Sequence, residues 1–511
     1  MEKVVRNKDS EIKDKKRVAI SGNSLGRENR ATIRGQVVDI GIFDPIKAED
    51  IWDFVTGMFA GDENEVTPFL DFSLAPVRKP ILKIEILEPT GNKAFVSEDI
   101  YGDEDGFFTY TIRAKLKPEN YIFHVIFKGS DSYRQYTRDL AFINRNEKTD
   151  ITKITIVGKG ELRILPEDYN GFITTSDIDQ TYLATDIFSK KGKFSTLFET
   201  PEQKRALPGM PIFYQKLRQD TNQTPLCFIS ASPHFFKRTL LATIKKHGII
   251  SESLYLKYLE GTIKGVFDKL IHSFINLDDL FKEGMKPALT RVKKFFGSSY
   301  QSLFDQLSYK LSILLQNRLY HPTNTKEILL GDNTESDYFI FTLYQLILQG
   351  KLVGQELEDY LYRLNFLGRD AITRDSAVKI KKLASECTTL HGKVNPVYQV
   401  LINVTDKGPG QEKMMDSVRK ALPQHIRLDD NNTAVFLSTQ GAVGFSIILH
   451  ALGVLQFQSV VDVTTDLIGQ WFNGKVIDDR YLVNLVKNLS VPKYAEKEKE
   501  LLKEIVEKAL S

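Results

Sequence analysis

The hydrophobic pattern of the chain changes character along its length, and each change marks a predicted region. Residues 1–30 are polar and charged without periodicity, which is typical of a flexible arm. From residue 31 to residue 158, short runs rich in β-branched and aromatic residues alternate with turn sequences, which favours a β-sandwich accessory domain. The runs predict strands at residues 32–38, 81–87, 107–116, 121–127 and 151–157, and one short helix at 45–59.

From residue 159 onward, strand-like segments alternate with segments of helical spacing. The predicted strands are residues 172–176, 226–230, 327–331, 397–404 and 434–438. The predicted helices between and after them are residues 211–219, 233–247, 309–318, 338–349 and 411–421. This alternation predicts an α/β fold with a doubly wound, mostly parallel sheet over residues 159–440.

Two further helical regions accompany that sheet. Residues 251–300 have a long helical pattern that mixes cations with aromatic residues, and we interpret them as a lid insertion. The same segment could dock on a bilayer interface, although an ordinary amphipathic helix packed on the core is the more common explanation. Residues 441–511 are predicted to form a C-terminal helical extension.

The composition of the chain argues against several classes of protein. The chain has 511 residues and a net charge of only +3, which gives no electrostatic case for binding nucleic acid. Its two cysteines provide neither a disulfide framework nor metal-ligand spacing. The first residues are too charged for a signal peptide, and no apolar run reaches transmembrane length. We therefore expect a soluble cytoplasmic protein that can contact membranes peripherally.

The most informative motif is Ser-Asp-Ile-Asp-Gln-Thr at residues 176–181. An apolar strand that ends in Asp177 and Asp179 delivers two acids to the carboxyl edge of a parallel sheet, where such folds bind ligands. Two carboxylates at that distance repel each other unless they share a cation or a proton. The motif therefore indicates a metal-assisted or proton-transferring site.

Three later elements add compatible chemistry. Ser230 ends a strand directly before a predicted helix, whose N-terminal amides would suit a phosphate, although Ser230 could also be a simple helix cap and Ser232 is the likelier pure cap. Lys310 lies on a helix that precedes a strand ending in Gly-Asp332, and Asp337 follows five positions later. Carboxylates of this kind hold Mg²⁺, attack phosphorus or transfer protons.

The order and spacing of these motifs resemble the haloacid dehalogenase superfamily of phosphatases. The motifs Ser-Asp-Ile-Asp-x-Thr, Phe-Ile-Ser-Ala-Ser-Pro and Leu-Gly-Asp-Asn-x-Glu-Ser-Asp narrow the resemblance to phosphatidate phosphatases of the actin-patch-associated type. The resemblance covers residues 161–341. One departure is His234, since the family usually has a tryptophan directly after Ser-Pro.

The resemblance implies a role for each motif residue. Asp177 would be the nucleophile and a Mg²⁺ ligand, and Asp179 the general acid and base, with its backbone carbonyl also touching the metal. Lys310 would neutralise Asp177 and the phosphate. The remaining implied metal ligands are Asp332 and Asp337. The implied phosphoryl-binding residues besides Lys310 are Thr181, which would also stabilise the turn, Ser230 and Ala231.

These roles predict a Mg²⁺-dependent phosphomonoesterase that works through a phospho-aspartate. Phosphatidate is the favoured substrate, giving diacylglycerol and phosphate, so the expected partner is a phospholipid rather than nucleic acid. One alternative is a phosphatase for a soluble phosphate ester or a phosphoprotein. Another is a non-catalytic phosphatidate-binding lipid sensor, which the retention of all four aspartates disfavours. The oligomeric state stays open.

Overall fold

The structure is a computed structural model that describes part of the chain and divides it into two compact units. The described residues are 16–43, 67–68, 71, 74–130, 155–185, 196, 199–258, 306–334, 336–364, 372–405, 408–426, 435–438, 441–472, 487 and 491–510. The first unit comprises residues 1–165, 235–239 and 259–292, and the second comprises residues 166–234, 240–258 and 293–511. The helix predicted at residues 45–59 lies outside the described residues, as does most of the predicted lid.

The first unit contains a mostly antiparallel sheet, separate from the sheet of the second unit. Its described strands are β1 (Lys16–Ile20), β2 (Ser24–Arg27), β3 (Arg30–Phe43), β4 (Leu74–Pro76), β5 (Pro80–Leu87), β6 (Lys93–Val96), β7 (Ile100–Tyr101), β8 (Phe107–Ile112), β9 (Asn120–Ser130) and β10 (Thr155–Leu165). The long strand β3 pairs antiparallel with β1, β2, β4 and β8, while β10 pairs parallel with β2. In β5, buried and partly exposed residues alternate, which places its buried side chains on one face.

The strands predicted in this region are found, where the structure describes them, in β3, β5, β8, β9 and β10, except that β8 ends at Ile112, four residues before the predicted end. They belong to one hydrogen-bonded sheet. Packing of that sheet as a sandwich stays a prediction, as does the domain boundary at residue 158; β10 itself continues to Leu165.

The second unit contains a six-stranded sheet in which every described strand pair is parallel. Its strands are β11 (Phe172–Ser176), β12 (Leu226–Pro233), β13 (Ser253–Lys257), β14 (Lys326–Asp332), β15 (Val397–Asn403) and β16 (Val435–Ser438). Their order is β13-β12-β11-β14-β15-β16. Along the chain, the strands after β11 are first added on one side of it, as β12 and β13. From β14 onward they are added on the other side. In such sheets the crevice at the carboxyl ends of the two strands at this reversal is the usual ligand site.

The described α-helices of at least ten residues are α1 (Met210–Asp220), α2 (Lys237–Lys246), α3 (Leu307–Arg318), α4 (Asp337–Leu348), α5 (Gly354–Arg363), α6 (Arg374–His391), α7 (Gln411–Ala421), α8 (Gly441–Ala451), α9 (Phe457–Phe472) and α10 (Glu496–Leu510). The helices α5 and α6 have no counterpart among the predicted elements. Within the described part of the chain, no helix combines the length and the apolar character needed to span a membrane.

Alternating side chains of β14 point to opposite faces of the parallel sheet. Leu329 packs in a hydrophobic cluster with residues of α3, α4, α5, α6 and α7. Its neighbours Ile328 and Leu330 are fully buried as well, yet lie outside that cluster. Because successive strand residues face opposite sides, both faces of the central strand are covered, which explains the apolar run Ile328-Leu329-Leu330 in its middle.

Two predicted helices need correction. The helix predicted from residue 233 begins at Lys237, after a 3₁₀ turn, because the strand continues to Pro233. Proline disfavours helical backbone in the residue before it, so Ser232 stays extended. The helical segment predicted from residue 251 is wrong at its start, where β13 pairs with β12 and three of its five side chains are buried. Pairing with a neighbouring strand therefore overrides the local helical spacing.

A buried ion pair anchors the amino end of β14, opposite the end that carries Asp332. Glu327 lies 3.2 Å from the Arg318 guanidinium and accepts a hydrogen bond of 2.8 Å from the Tyr344 hydroxyl. His321 Nδ1 lies 3.3 Å from the same carboxylate. Burial alone would raise the pKa of Glu327, but His321 and Arg318 together outweigh burial and lower it below its ordinary value.

We expect Glu327→Gln to lower the free energy of unfolding by about 3–5 kcal/mol, because it leaves the Arg318 guanidinium buried without its partner. Glu327 contributes this stability above its unfolded-state pKa, and the contribution is lost as the pH falls through the lowered folded-state pKa. The variant should therefore lose less stability than the parent chain on acidification. Denaturant titrations at several pH values measure both effects. The exposed control Glu504→Gln should change stability by at most about 0.5 kcal/mol, and an equal loss in both variants would contradict the assignment.

Candidate active site

Strand β11 delivers Asp177 to the reversal of the sheet. The Asp177 amide donates a hydrogen bond of 2.9 Å to the Leu330 carbonyl of the adjacent strand β14. The Ser176 hydroxyl donates to the Asp177 carbonyl at 2.7 Å and lies 2.7 Å from the Tyr214 hydroxyl. The backbone of Asp177 is thus fixed by the sheet and by α1, and its side chain is only 2% exposed.

Asp332 and Asp337 come from the end of β14 and from the first residue of α4, and both are fully buried. The intervening turn is held by Thr334, whose backbone amide and hydroxyl both donate to Asp332 Oδ1. Gly331 allows the close approach, because a Cβ at this position would lie 2.5 Å from Asp337 Cβ and 2.7 Å from its Oδ2. No real Cβ tolerates such a contact, so a side chain at residue 331 would displace Asp337.

Lys310, on α3, lies between two of these acids. Its Nζ is 2.8 Å from Asp177 Oδ1 and 2.6 Å from Asp337 Oδ1, and its side chain is 2% exposed. Lys310 donates a charge-assisted hydrogen bond to Asp337, whereas its contact with Asp177 is an ion pair. The ammonium therefore offsets part of the repulsion between Asp177 and Asp337.

Three carboxylates meet at this point. Asp177, Asp332 and Asp337 each offer an oxygen, and these oxygens all lie within 4.8 Å of one another. Three ionised carboxylates beside one ammonium leave two negative charges in a buried place, which is costly without further compensation. An all-oxygen ligand set of this kind suits a hard divalent cation. Asp177 and Asp332 thus lie together, as the sequence predicts, and the roles assigned to them stay predictions.

The carboxylate of Asp179 has different neighbours. It is partly exposed and accepts hydrogen bonds through Oδ2 from the Ser230 hydroxyl at 3.2 Å and the Ser232 hydroxyl at 3.0 Å. The Ser232 amide also donates to Ser230 Oγ at 3.0 Å. Asp179 is thus held beside the carboxyl end of β12, at a position distinct from the three clustered carboxylates.

The other predicted phosphoryl-binding residues lie close by. Ala231 is buried between the two serines on β12, and Thr181 is fully buried in the turn after Asp179. The Thr181 hydroxyl has no hydrogen-bond partner among the described residues. The turn itself is closed by backbone bonds, in which the amides of Tyr182 and Leu183 both donate to the Ile178 carbonyl.

Sequence reasoning missed two residues that orient these acids. Ser232 was interpreted as a helix cap, but it contacts Asp179; it is two positions after Ser230, and residues two apart on a strand share a face. Thr334 follows Asp332 by two positions, the spacing at which an aspartate side chain accepts from a backbone amide. Both spacings are visible in the sequence. The contact of Ser176 with Tyr214 has no comparable local signal.

Comparison with known proteins yields one family match. The family model described as the catalytic domain of the phosphatidate phosphatase APP1 matches residues 172–280. The matched stretch holds Asp177, Asp179 and Ser230, and it ends before Lys310. The match supports the prediction that the chain is a phosphatase enzyme.

The other comparisons add little. No curated protein matches the chain. Among solved structures, CopC from Methylosinus trichosporium OB3b is 14% identical, covers 30% of this chain and 98% of its own, and gives a TM-score of 0.14. A β-glucuronidase from Ruminococcus gnavus in complex with D-glucaro 1,5-lactone is 8% identical, covers 80% of this chain and 68% of its own, and gives a TM-score of 0.18. These TM-scores are too low to support an argument about fold or reaction.

Proposed function

We propose that this chain is a Mg²⁺-dependent phosphatidate phosphatase of the haloacid dehalogenase type that acts through a phospho-aspartate. The observation that carries the proposal is the buried arrangement of Lys310 with Asp177 and Asp337 at the reversal of a parallel sheet. The family match over residues 172–280 supports the same chemistry independently. The side chains of one crevice then supply the nucleophile, the group that transfers the proton, the positively charged ammonium and the phosphate-binding hydroxyl.

In the first step, a carboxylate oxygen of Asp177 attacks phosphorus. A bond forms between that oxygen and phosphorus, and the bond from phosphorus to the ester oxygen breaks. Asp179 donates a proton to the leaving alkoxide, which departs as the alcohol. Lys310 Nζ, already 2.8 Å from Asp177 Oδ1, offsets negative charge on the phosphoryl group.

In the second step, the same groups reverse their roles. The now ionised Asp179 takes a proton from a water molecule, whose oxygen attacks phosphorus and releases Asp177 with inorganic phosphate. The hydroxyls of Ser230 and Ser232, which donate to Asp179 in the free protein, can turn toward phosphoryl oxygens when substrate enters. Asp179 thereby remains oriented while the contacts around it change.

A divalent cation fits the three clustered carboxylates. The residues that would hold Mg²⁺ are Asp177, Asp332 and Asp337, together with the backbone carbonyl of Asp179. When bound, the cation would neutralise charge on the transferred phosphoryl group. Asp332 and Asp337 contribute by being fixed in advance, through Thr334 and Lys310 respectively.

Phosphatidate is the substrate we favour, because the matched family is a phosphatidate phosphatase domain. A phospholipid substrate requires contact with a membrane surface, and we propose that the protein makes this contact from the cytoplasm. The two cysteines, which are free and buried, are compatible with a reducing compartment. Hydrolysis of a soluble phosphate ester or of a phosphoprotein would require the same reacting groups. A non-catalytic lipid sensor would use the phosphate-binding hydroxyls to bind the lipid and would release no phosphate.

The substrate class is tested by measuring free phosphate. We expect Mg²⁺-dependent release from vesicles that contain phosphatidate, and much slower release from water-soluble phosphate esters, because the lipid is the substrate of the matched family. Phosphate release from soluble esters alone would contradict the lipid proposal and favour a soluble substrate. Binding to phosphatidate vesicles without phosphate release from any ester would favour the lipid sensor.

We expect Asp177→Asn to lower kcat by about 10³-fold or more, because an amide oxygen is a poor nucleophile toward phosphorus. The substitution keeps the shape of the side chain, and Lys310 retains its contact with Asp337, so thermal unfolding should stay cooperative. Asp416→Asn, at an exposed position of α7, is the matched control and should leave phosphate release unchanged. Unaltered turnover in Asp177→Asn would remove Asp177 as the nucleophile.

We expect Gly331→Ala to raise the Mg²⁺ concentration needed for half-maximal activity by about 10- to 100-fold, because the added Cβ pushes Asp337 out of the carboxylate cluster. Activity measured over a Mg²⁺ titration, with chelator-treated protein as the starting point, gives this value. The control is Gly469→Ala on α9, where no atom lies within 4 Å of an added Cβ. An unchanged Mg²⁺ requirement in Gly331→Ala would argue against Asp337 as a metal ligand.

A further inference from the structure

The turn that follows Asp179 contains a residue with unfavourable backbone geometry. Gln180 has a φ of 58°, in the left-handed region that side chains other than glycine rarely adopt. Such a conformation persists only where the surrounding structure holds it, and it is most frequent at functional sites. Since Gln180 directly follows Asp179, whatever holds this turn also fixes the position of the Asp179 carboxylate.

Among the described residues, three hydrogen bonds hold Gln180. Its backbone amide donates to the Leu183 carbonyl at 2.8 Å, and its side-chain amide donates to the Thr185 carbonyl. Both partners belong to the segment immediately downstream, so they close the turn locally. The third bond comes from a remote residue, since Asn403 Nδ2 donates to the Gln180 carbonyl at 2.8 Å.

Asn403 also contacts the loop that follows Asp332. It is the last residue of β15, is 7% exposed and lies opposite Asp332 in the register of the parallel pair. Its backbone carbonyl accepts a hydrogen bond of 3.1 Å from the Asn333 amide. A single residue thus connects the turn after Asp179 with the strand end that carries Asp332.

We infer that Asn403 is a positioning residue, which fixes Asp179 relative to Asp332 by holding the Gln180 carbonyl. The inference rests on the proposed function, because it assigns Asn403 to the same reaction. Displacing a proton-transferring group by about 1 Å can cost about 100-fold in rate, even when the change lies outside the reacting atoms. Asn403 acts on the backbone of the turn and leaves substrate contacts to other residues.

The residue type agrees with this role. The buried Gln180 carbonyl needs a donor, and an asparagine amide supplies one without adding charge beside Asp332. A leucine has a similar shape and no donor, so it would leave that carbonyl without the bond. An aspartate would place a second oxygen against the carbonyl and a further negative charge beside the clustered acids.

The test compares Asn403→Leu with Asn395→Leu, an exposed position just before the amino end of the same strand. In the full chain, we expect Asn403→Leu to lower kcat for phosphate release by about 10- to 100-fold, with KM changed by less than about twofold. The control should leave both constants unchanged. Each rate is divided by the fraction of folded protein, which thermal unfolding measures. If Asn403→Leu fails to fold, Asn403→Asp and Asn395→Asp take their places, because they remove the donor while keeping the shape.

A crystal structure of the same variant provides a readout that does not depend on turnover. We expect the Asp179 carboxylate to leave hydrogen-bonding distance of Ser230 and Ser232, while Lys310 keeps its contact with Asp177. An unchanged kcat, an equal loss in the control, or an undisplaced Asp179 would overturn the inference. If the unmodified chain hydrolyses no phosphate ester, the proposed function fails, and the position of Asp179 in the variant alone then decides the role of Asn403.

Discussion

The interaction on which the candidate site depends is the attraction between one buried ammonium and the carboxylates around it. Lys310 lies within 2.8 Å of Asp177 and within 2.6 Å of Asp337, and all three side chains are almost inaccessible to solvent. Separating these charges from water is unfavourable, so the arrangement persists only because the fold fixes both signs of charge together. Three carboxylates outnumber the single ammonium, and their oxygens form a set that could hold a metal ion.

The topology of the parallel sheet determines which residues can meet there. The two strands at the reversal are β11 and β14, and their carboxyl ends bring Asp177 beside the turn that starts at Asp332. The flanking strands contribute in turn, β12 through the two serines that contact Asp179 and β15 through Asn403. The opposite end of β14 is anchored by the buried Glu327 and Arg318 pair. Strand β14 therefore has a structural ion pair at its amino end and the carboxylate cluster at its carboxyl end.

Much of this arrangement could be predicted from the sequence. Runs rich in apolar and β-branched residues indicated the parallel strands, and the sequence placed Asp177 directly after one run and Asp332 at the end of another. The errors have physical causes: Ser253–Lys257 pairs with its neighbour despite helical spacing, and α2 begins at Lys237 because β12 and a 3₁₀ turn occupy the residues before it. The long-range contacts were beyond sequence reasoning. Nothing in the local sequence indicates that the amide of Asn403 meets a carbonyl 223 residues earlier, because that contact depends on strand order and register.

The residues of the charged cluster lie far apart in the sequence, which limits the fragments of the chain that can contain all of them. The stretch that matches the phosphatidate phosphatase domain ends at residue 280, whereas the lysine and two of the three clustered acids lie at residues 310, 332 and 337. A fragment limited to that stretch would retain Asp177 and the hydroxyls of Ser230 and Ser232, but it would lack β14, the strand that pairs with β11 along its whole length. The cluster therefore forms only in the assembled sheet, and no contiguous segment as short as the matched one contains all of its residues.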